Sequence, residues 1–321
     1  YYRNDYFRKA SELVSSAMNC LQNGVYDPFS QARLYCLKGN LCLEDGDIFG
    51  GLKNQFNALK LLKNDPDSKL EGRILQNIAL NHVQERNIEK AEYFLKLALE
   101  KSESENDYVN IASIYQNIGT CKCFQNKYSE GEKYFEKALD IVKDADFKYI
   151  KLSLLINLGK AKFYSKKEND GIECLESAYK TAIEINSYKY QAWSLIYFSG
   201  IYLNIKDIKK VEKYLSKFES IIEKVNHHKP FILRKFSLQY MLEKLKGNFE
   251  KSLKAHEKYT DLRIKLVNEK IYAMQKEKEK EIEKLNYSIQ LINIKNDKRK
   301  LETKLDIKNK ELAAHLLKTV N

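Results

Sequence analysis

Apolar positions recur along most of the chain in helical spacing, broken by short polar turns, and the pattern repeats every 40 residues. Gln76–Ala98 sets the unit. Gln76, Asn77, Ile78 and Ala79 lie in a first apolar stretch, Gln84–Asn87 interrupts it, and Ile88–Ala98 carries a second. Gln116–Ala138 repeats the scheme 40 residues on, with Gln116, Asn117, Ile118 and Gly119, a polar turn, and then Tyr128–Ala138. Small residues hold three fixed places: Gly39, Ala79, Gly119, Gly159 and Ser199; Gly51, Ala91, Gly131 and Gly171; Ala58, Ala98, Ala138 and Ala178. Self-similarity at such a period marks stacked supersecondary units.

Each unit reads as two amphipathic helices joined by a polar turn. The first small residue is expected to let the two backbones of a hairpin approach, and the second and third to let the next hairpin nest. Leu75, Ile78 and Leu95 fill the space in one copy, Tyr115, Ile118 and Phe135 in the next, and Leu155, Leu158 and Leu175 after that. A single hairpin cannot bury its apolar face, so neighbours must stack.

Taken in order, residues 5–22 form an amphipathic helix (Phe7, Leu13, Val14, Ala17, Leu21) ended by Tyr26, Asp27 and Pro28. Residues 1–29 are thus a capping helix or a partial repeat. Units follow at 31–63, 71–103, 111–143, 151–184, 191–224 and 232–260, giving an array over 30–260. Their turns are Glu44–Asp47, Gln84–Asn87, Gln125–Lys127, Lys166–Asn169, Asn204–Asp207 and Lys246–Asn248, rich in turn-forming residues. The last units loosen: Val211 and Phe218, then Tyr240, Ser252 and Tyr259, occupy places held by small residues before.

From residue 249 onward there is no Gly and no Pro. Ile282, Leu285, Ile289 and Ile292 are spaced 3-4-3, and a second phase runs through Leu301, Leu305, Leu312 and Leu316. Such spacing with Lys and Glu between predicts a coiled coil over 261–321. A parallel homodimer is the economical pairing, and a fold-back at Asn296 is the alternative. Residues 262–321 carry 15 Lys/Arg against 9 Asp/Glu, half of the net charge of +12. Signs alternate through Lys276–Lys284, which marks a solvated helix face rather than a nucleic-acid stripe.

Composition sharpens the class. Charged residues are 31%, with twelve Gly and three Pro, a balance of long helices. The six cysteines (Cys20, Cys36, Cys42, Cys121, Cys123, Cys174) form no Cys-x-x-Cys pair and read as reduced thiols in a reducing compartment. The longest apolar run, Tyr190–Ile205, is 16 residues and holds Gln191 and Asn204, short of a bilayer span.

Motifs of enzyme chemistry are missing: no phosphate loop, no His-Glu-x-x-His, no nucleophile elbow. His82 and His256 fall on packed or interfacial helix positions, His227 and His228 lack visible metal partners, and His315 lacks the surroundings of a phosphoacceptor. No catalytic residue, metal site or cofactor is expected. Asn77, Asn117 and Asn157 recur at the repeat period. A side-chain amide donates and accepts, so it can grip a peptide backbone whatever its sequence; the same amides can instead tie one hairpin to the next, and both roles are open.

The repeat resembles the tetratricopeptide repeat (TPR), with about six extra residues per unit. That resemblance implies an all-α fold: a right-handed superhelix of about six helical hairpins followed by a long coiled-coil helix. It also implies that first helices line a concave groove. Residues facing it are then Arg73, Gln76, Asn77, Gln116, Asn117, Asn157, Lys160, Trp193 and Tyr197. The paired-lysine carboxylate clamp of chaperone-binding TPRs is not evident. Array, coiled coil and residues 308–321 (Lys-Asn-Lys-Glu-Leu-Ala-Ala-His-Leu-Leu-Lys-Thr-Val-Asn) together resemble bacterial TPR regulators whose coiled coil leads into a LuxR-type helix-turn-helix. The resemblance implies a cytoplasmic, non-enzymatic sensing module that binds a peptide or protein in its groove and dimerises, with DNA met only through a domain beyond residue 321. An adaptor without an output domain and the input region of a histidine kinase are the alternatives.

Overall fold

The computed structural model describes residues 2–23, 27–45, 47–62, 69–144, 146–225 and 229–319. Among them are thirteen α-helices and no strand. The chain forms two compact units, Tyr1–Lys265 and Leu266–Asn321.

The first unit opens with α1 (Tyr2–Asn23) and continues as antiparallel hairpins. They are α2 (Pro28–Asp45) with α3 (Ile48–Leu61), α4 (Lys69–Gln84) with α5 (Ile88–Ser104), α6 (Tyr108–Phe124) with α7 (Tyr128–Ile141), α8 (Lys148–Tyr164) with α9 (Glu168–Glu184), and α10 (Tyr188–Ile205) with α11 (Ile208–Ile221). A sixth pairs α12 (Lys229–Leu245) with the start of α13 (Phe249–Thr319), where Ser252 donates to the Tyr240 carbonyl at 3.2 Å and the Tyr240 and His256 rings lie 5.0 Å apart.

The small residues sit where the spacing puts them, but the second does a different job from the one expected. A Cβ on Gly171 would lie 2.6 Å from the Gly159 carbonyl, and one on Gly159 2.8 Å from the Gly171 carbonyl. Gly119 and Gly131 face each other in the same way, at 3.0 and 2.9 Å. First and second small residues are therefore the two halves of one crossing inside a hairpin. The third faces outward to the stack: Ala98 shares a buried cluster with Ile114 and Cys121 of the following unit, and Ala138 with Leu154 and Leu158. Leu95, Phe135, Leu175 and Phe218 are buried between, each such side chain contributing about 1.5–3 kcal/mol.

Turns repeat as faithfully as cores. Arg86, Asn126, Lys166 and Lys206 take left-handed backbone with φ of 59°, 62°, 69° and 64°, and Gly247 does so in the sixth hairpin. Asn106 and Asn186 do the same between hairpins. Asp47, Asn87, Asp107 and Asp207 then cap the next helices, each accepting from a backbone N–H three residues on.

The second unit consists of helix α13 from Leu266 onward, unbroken through Asn296–Asp297, so the alternative fold-back there is not found. Val267, Ile271, Ile282, Leu301 and Leu305 are exposed. His227 and His228, and the side chains of Met274, Leu285, Ile289, Ile292, Leu312, His315 and Leu316, lie outside the described residues. No helix, among the described residues, is long and apolar enough to cross a membrane.

Candidate functional site

The first helices touch one another in succession, α2 to α4, α4 to α6, α6 to α8, α8 to α10 and α10 to α12, whereas successive second helices make no comparable contact. The array therefore closes on the side of its first helices. Position 77 of the repeat lies on this inner side, as Asn77, Asn117, Asn157 and, in the fifth unit, Tyr197. Between α8 and α10 the surface sinks into a cavity of about 360 Å³ lined by Ser153, Ile156, Asn157, Lys189, Tyr190, Trp193 and Tyr197.

The nine residues expected in the groove divide in two. Four are committed to holding the array together. Arg73 donates twice to Asp107, the cap of α6, at 3.1 and 3.0 Å. Asn77 donates to the Cys36 sulfur at 3.4 Å, and Gln116 to the Ser153 hydroxyl at 2.7 Å. Gln76 is buried, 9% exposed. Asn77 thus ties one hairpin to the next, and Arg73, still over half exposed, clasps the cap of α6.

Of the other five, Asn157, Trp193 and Tyr197 line the cavity and Lys160 lies over the Tyr197 ring. Asn117 and Asn157 are half-buried and make no hydrogen bond with any described residue, leaving both amides open. Trp193 stacks on Tyr197 with ring centres 6.0 Å apart and tilts against Phe231 of α12 at 5.0 Å. Lys160 places its ammonium 5.7 Å from the Tyr197 ring centre, a cation–π contact. Burial pushes the Lys160 pKa down, and the Arg234 guanidinium adds to the effect while the Cys123 thiol opposes it. Burial likewise raises the phenols of Tyr190 and Tyr197. An aromatic wall, an unpaired amide and a lysine without a counter-ion among the described residues thus meet at this cavity.

Sequence reasoning missed Lys189, which lines this cavity, and Arg234, whose charge acts on Lys160 and Tyr197. No group of three or more potential metal ligands occurs among the described residues. His82 is packed, 7% exposed, bonded to Glu85 at 2.9 Å and stacked on Phe94, while His256 lies exposed between Tyr240 and Tyr259.

No protein-family model and no curated protein sequence matches the chain. Solved structures do. The apo form of RapI aligns with a TM-score of 0.65 at 16% identity, over 83% of this chain and 95% of that one. A Rap protein complexed with competence and sporulation factor gives 0.67 at 19%, over 83% and 73%. NprR in complex with its cognate peptide NprX gives 0.58 at 17%, over 81% and 72%. At such identities the likeness shows the fold, a TPR-like array of helical hairpins.

Proposed function

We propose that this chain is a non-enzymatic peptide-sensing module of a regulator, taking an extended peptide along the first helices of its third to fifth hairpins. One observation carries the reading: Asn157, whose amide pairs with no described residue, lines the cavity of about 360 Å³ together with Trp193 and Tyr197, and Asn117, equally unpaired among the described residues, holds the same repeat position one hairpin earlier. Amides at the repeat period grip main chain, and a pocket of this size takes one large side chain. The complexes of a Rap protein with competence and sporulation factor and of NprR with NprX support the reading by analogy of fold.

The finer parts of the proposal rest on the C-terminal helix. Its exposed Ile271, Ile282, Leu301 and Leu305 call for a partner helix, and a second copy of the chain in a parallel coiled coil supplies one. Residues 308–321 resemble the segment that joins such coiled coils to a LuxR-type helix-turn-helix, which makes transcription the output and the cytoplasm the place of action.

Panning a displayed random heptapeptide library on the chain tests the groove. Sequences should enrich that lose affinity for an Asn117→Ala/Asn157→Ala variant of unchanged helicity. Enrichment that survives that double substitution removes the groove from the reading, and a monomer by sedimentation at micromolar concentration removes the coiled-coil dimer.

A further inference from the structure

Around the cavity, acidic residues keep to the outer side of the array. The inner helices α6, α8 and α10 hold six lysines and not one Asp or Glu. The outer helices α7 and α9, which alternate with them, hold nine acids and three lysines. A solvated face of mixed sign would not segregate in this way, and a concave wall of one sign focuses its field into the space it encloses. Part of the inner charge is spent: Lys122 pairs with Glu92 at 2.8 Å and Lys162 with Glu136 at 3.5 Å.

Three cations in or beside the cavity are not spent: Lys189 lines it, Lys160 lies over the Tyr197 ring of its wall, and the Arg234 guanidinium acts on both Lys160 and Tyr197. None of the three has a carboxylate within ion-pair distance among the described residues. Lys189, Trp193 and Tyr197 succeed one another four residues apart on α10 and so share a face. From Lys189 to Tyr197, over which Lys160 sits, is about 12 Å at 1.5 Å per residue. Gly200, one turn further, has open space where its Cβ would be, so nothing crowds that end.

From this arrangement, and resting on the groove reading above, we infer that the cavity takes an acidic peptide: a large apolar side chain seated at Trp193, with carboxylate side chains on either side of it, one meeting Lys189 and the other Lys160 and Arg234. In an extended chain, residues i and i+4 lie on one face about 13 Å apart, with i+2 between them. That spacing matches the separation of the cations. A lone terminal carboxylate would serve one end and leave the other unmet, so side-chain acids are the source.

Calorimetric titration at low salt with acetyl-Glu-Ala-Phe-Ala-Glu-amide tests the inference. It should bind about tenfold or more tighter than the Gln-for-Glu version, as charge-assisted hydrogen bonds to two cations require. The advantage should shrink with added salt and vanish in a Lys160→Met/Arg234→Met variant whose helicity is unchanged. A Gln version with a free C-terminal carboxylate should gain nothing over its amide. Equal binding of the Gln peptide, or an advantage that survives the double variant, overturns the inference; a gain from the free carboxylate alone replaces side-chain acids by a chain end. If the Glu peptide fails to bind at 1 mM while panning yields Asn157-dependent sequences, the groove stands and the charge preference falls. If panning is empty as well, both fall.

Discussion

Replacing Gly171 by alanine isolates the contact on which the hairpin depends. The new methyl would stand 2.6 Å from the Gly159 carbonyl oxygen and 2.7 Å from the Phe163 nitrogen, where ordinary contact begins near 3.4 Å. Relief requires α8 and α9 to part by about 0.8 Å, the difference of those distances, and both neighbours are backbone that no rotamer change can move aside. Overpacking of this kind costs about 1–3 kcal/mol. Alanine in a helix interior returns about 0.5–1 kcal/mol relative to glycine, so the net loss is about 1–2 kcal/mol. Gly200→Ala is the matched control, because its methyl meets nothing within 4 Å and should stabilise by about 0.5–1 kcal/mol. Urea unfolding followed by far-ultraviolet circular dichroism reads the whole array, and fluorescence of the single tryptophan, Trp193, reads the hairpin stacked next to α9. Gly171→Ala should lower both midpoints and Gly200→Ala should raise them. A Gly171→Ala protein as stable as the parent would show that the two glycines do not set the crossing.

Lys160→Met should raise the thermal midpoint. Burial depresses the lysine's pKa in the folded chain, so between that lowered value and 10.5 the unfolded chain holds the extra proton and stability climbs with pH. The gap between variant and parent should accordingly narrow as pH rises toward 10.5, and a gap that widens would contradict the burial cost. Lys166→Gly should stabilise by about 0.5–1 kcal/mol, because it removes the left-handed strain of a φ of 69° and adds only backbone entropy; a loss in urea unfolding would show that the turn carries no strain. Burial pushes Cys121 up to about 12 and Cys123 to about 11 against an ordinary 9.0, so at pH 8 the Cys123 thiolate is about 100-fold scarcer than usual. Timed iodoacetamide labelling read by mass spectrometry should therefore modify the exposed Cys20 first and these two last.

The repeat was legible because small residues and turns recur at a fixed interval, which one sequence displays to itself. Five in-phase small residues, Gly39, Ala79, Gly119, Gly159 and Ser199, are enough to place hairpin boundaries, and α4 to α11 begin and end at the polar turns. Less visible was which surface each small residue meets. Gly131 and Gly171 were expected to serve the next hairpin, yet their partners lie twelve residues back in their own. The groove was half legible for a related reason. Periodicity shows that Asn77 and Asn157 are equivalent in phase, but not that Cys36, 41 residues away, takes up the first amide and no described residue takes up the second. Arg73 looked like a groove cation until Asp107 of the next unit claimed it. The absence of acids from α6, α8 and α10 was in plain sight in the sequence, and would have pointed to Lys189 once charge was read helix by helix.

The crossings also differ along the stack, and this bears on how a bound peptide would be felt. At α6–α7 and α8–α9 two glycines put main chain directly on main chain. At α10–α11 the same place is filled by Ser199 and Val211, both fully buried, so side-chain atoms cushion the joint. Rigid couplings thus precede a compliant one, and the cavity lies where they meet, with Asn157 on the stiff side and Trp193 on the soft. A chain clamped across it would bridge the two kinds of joint, and Trp193, packed on Phe231, is where it would touch α12.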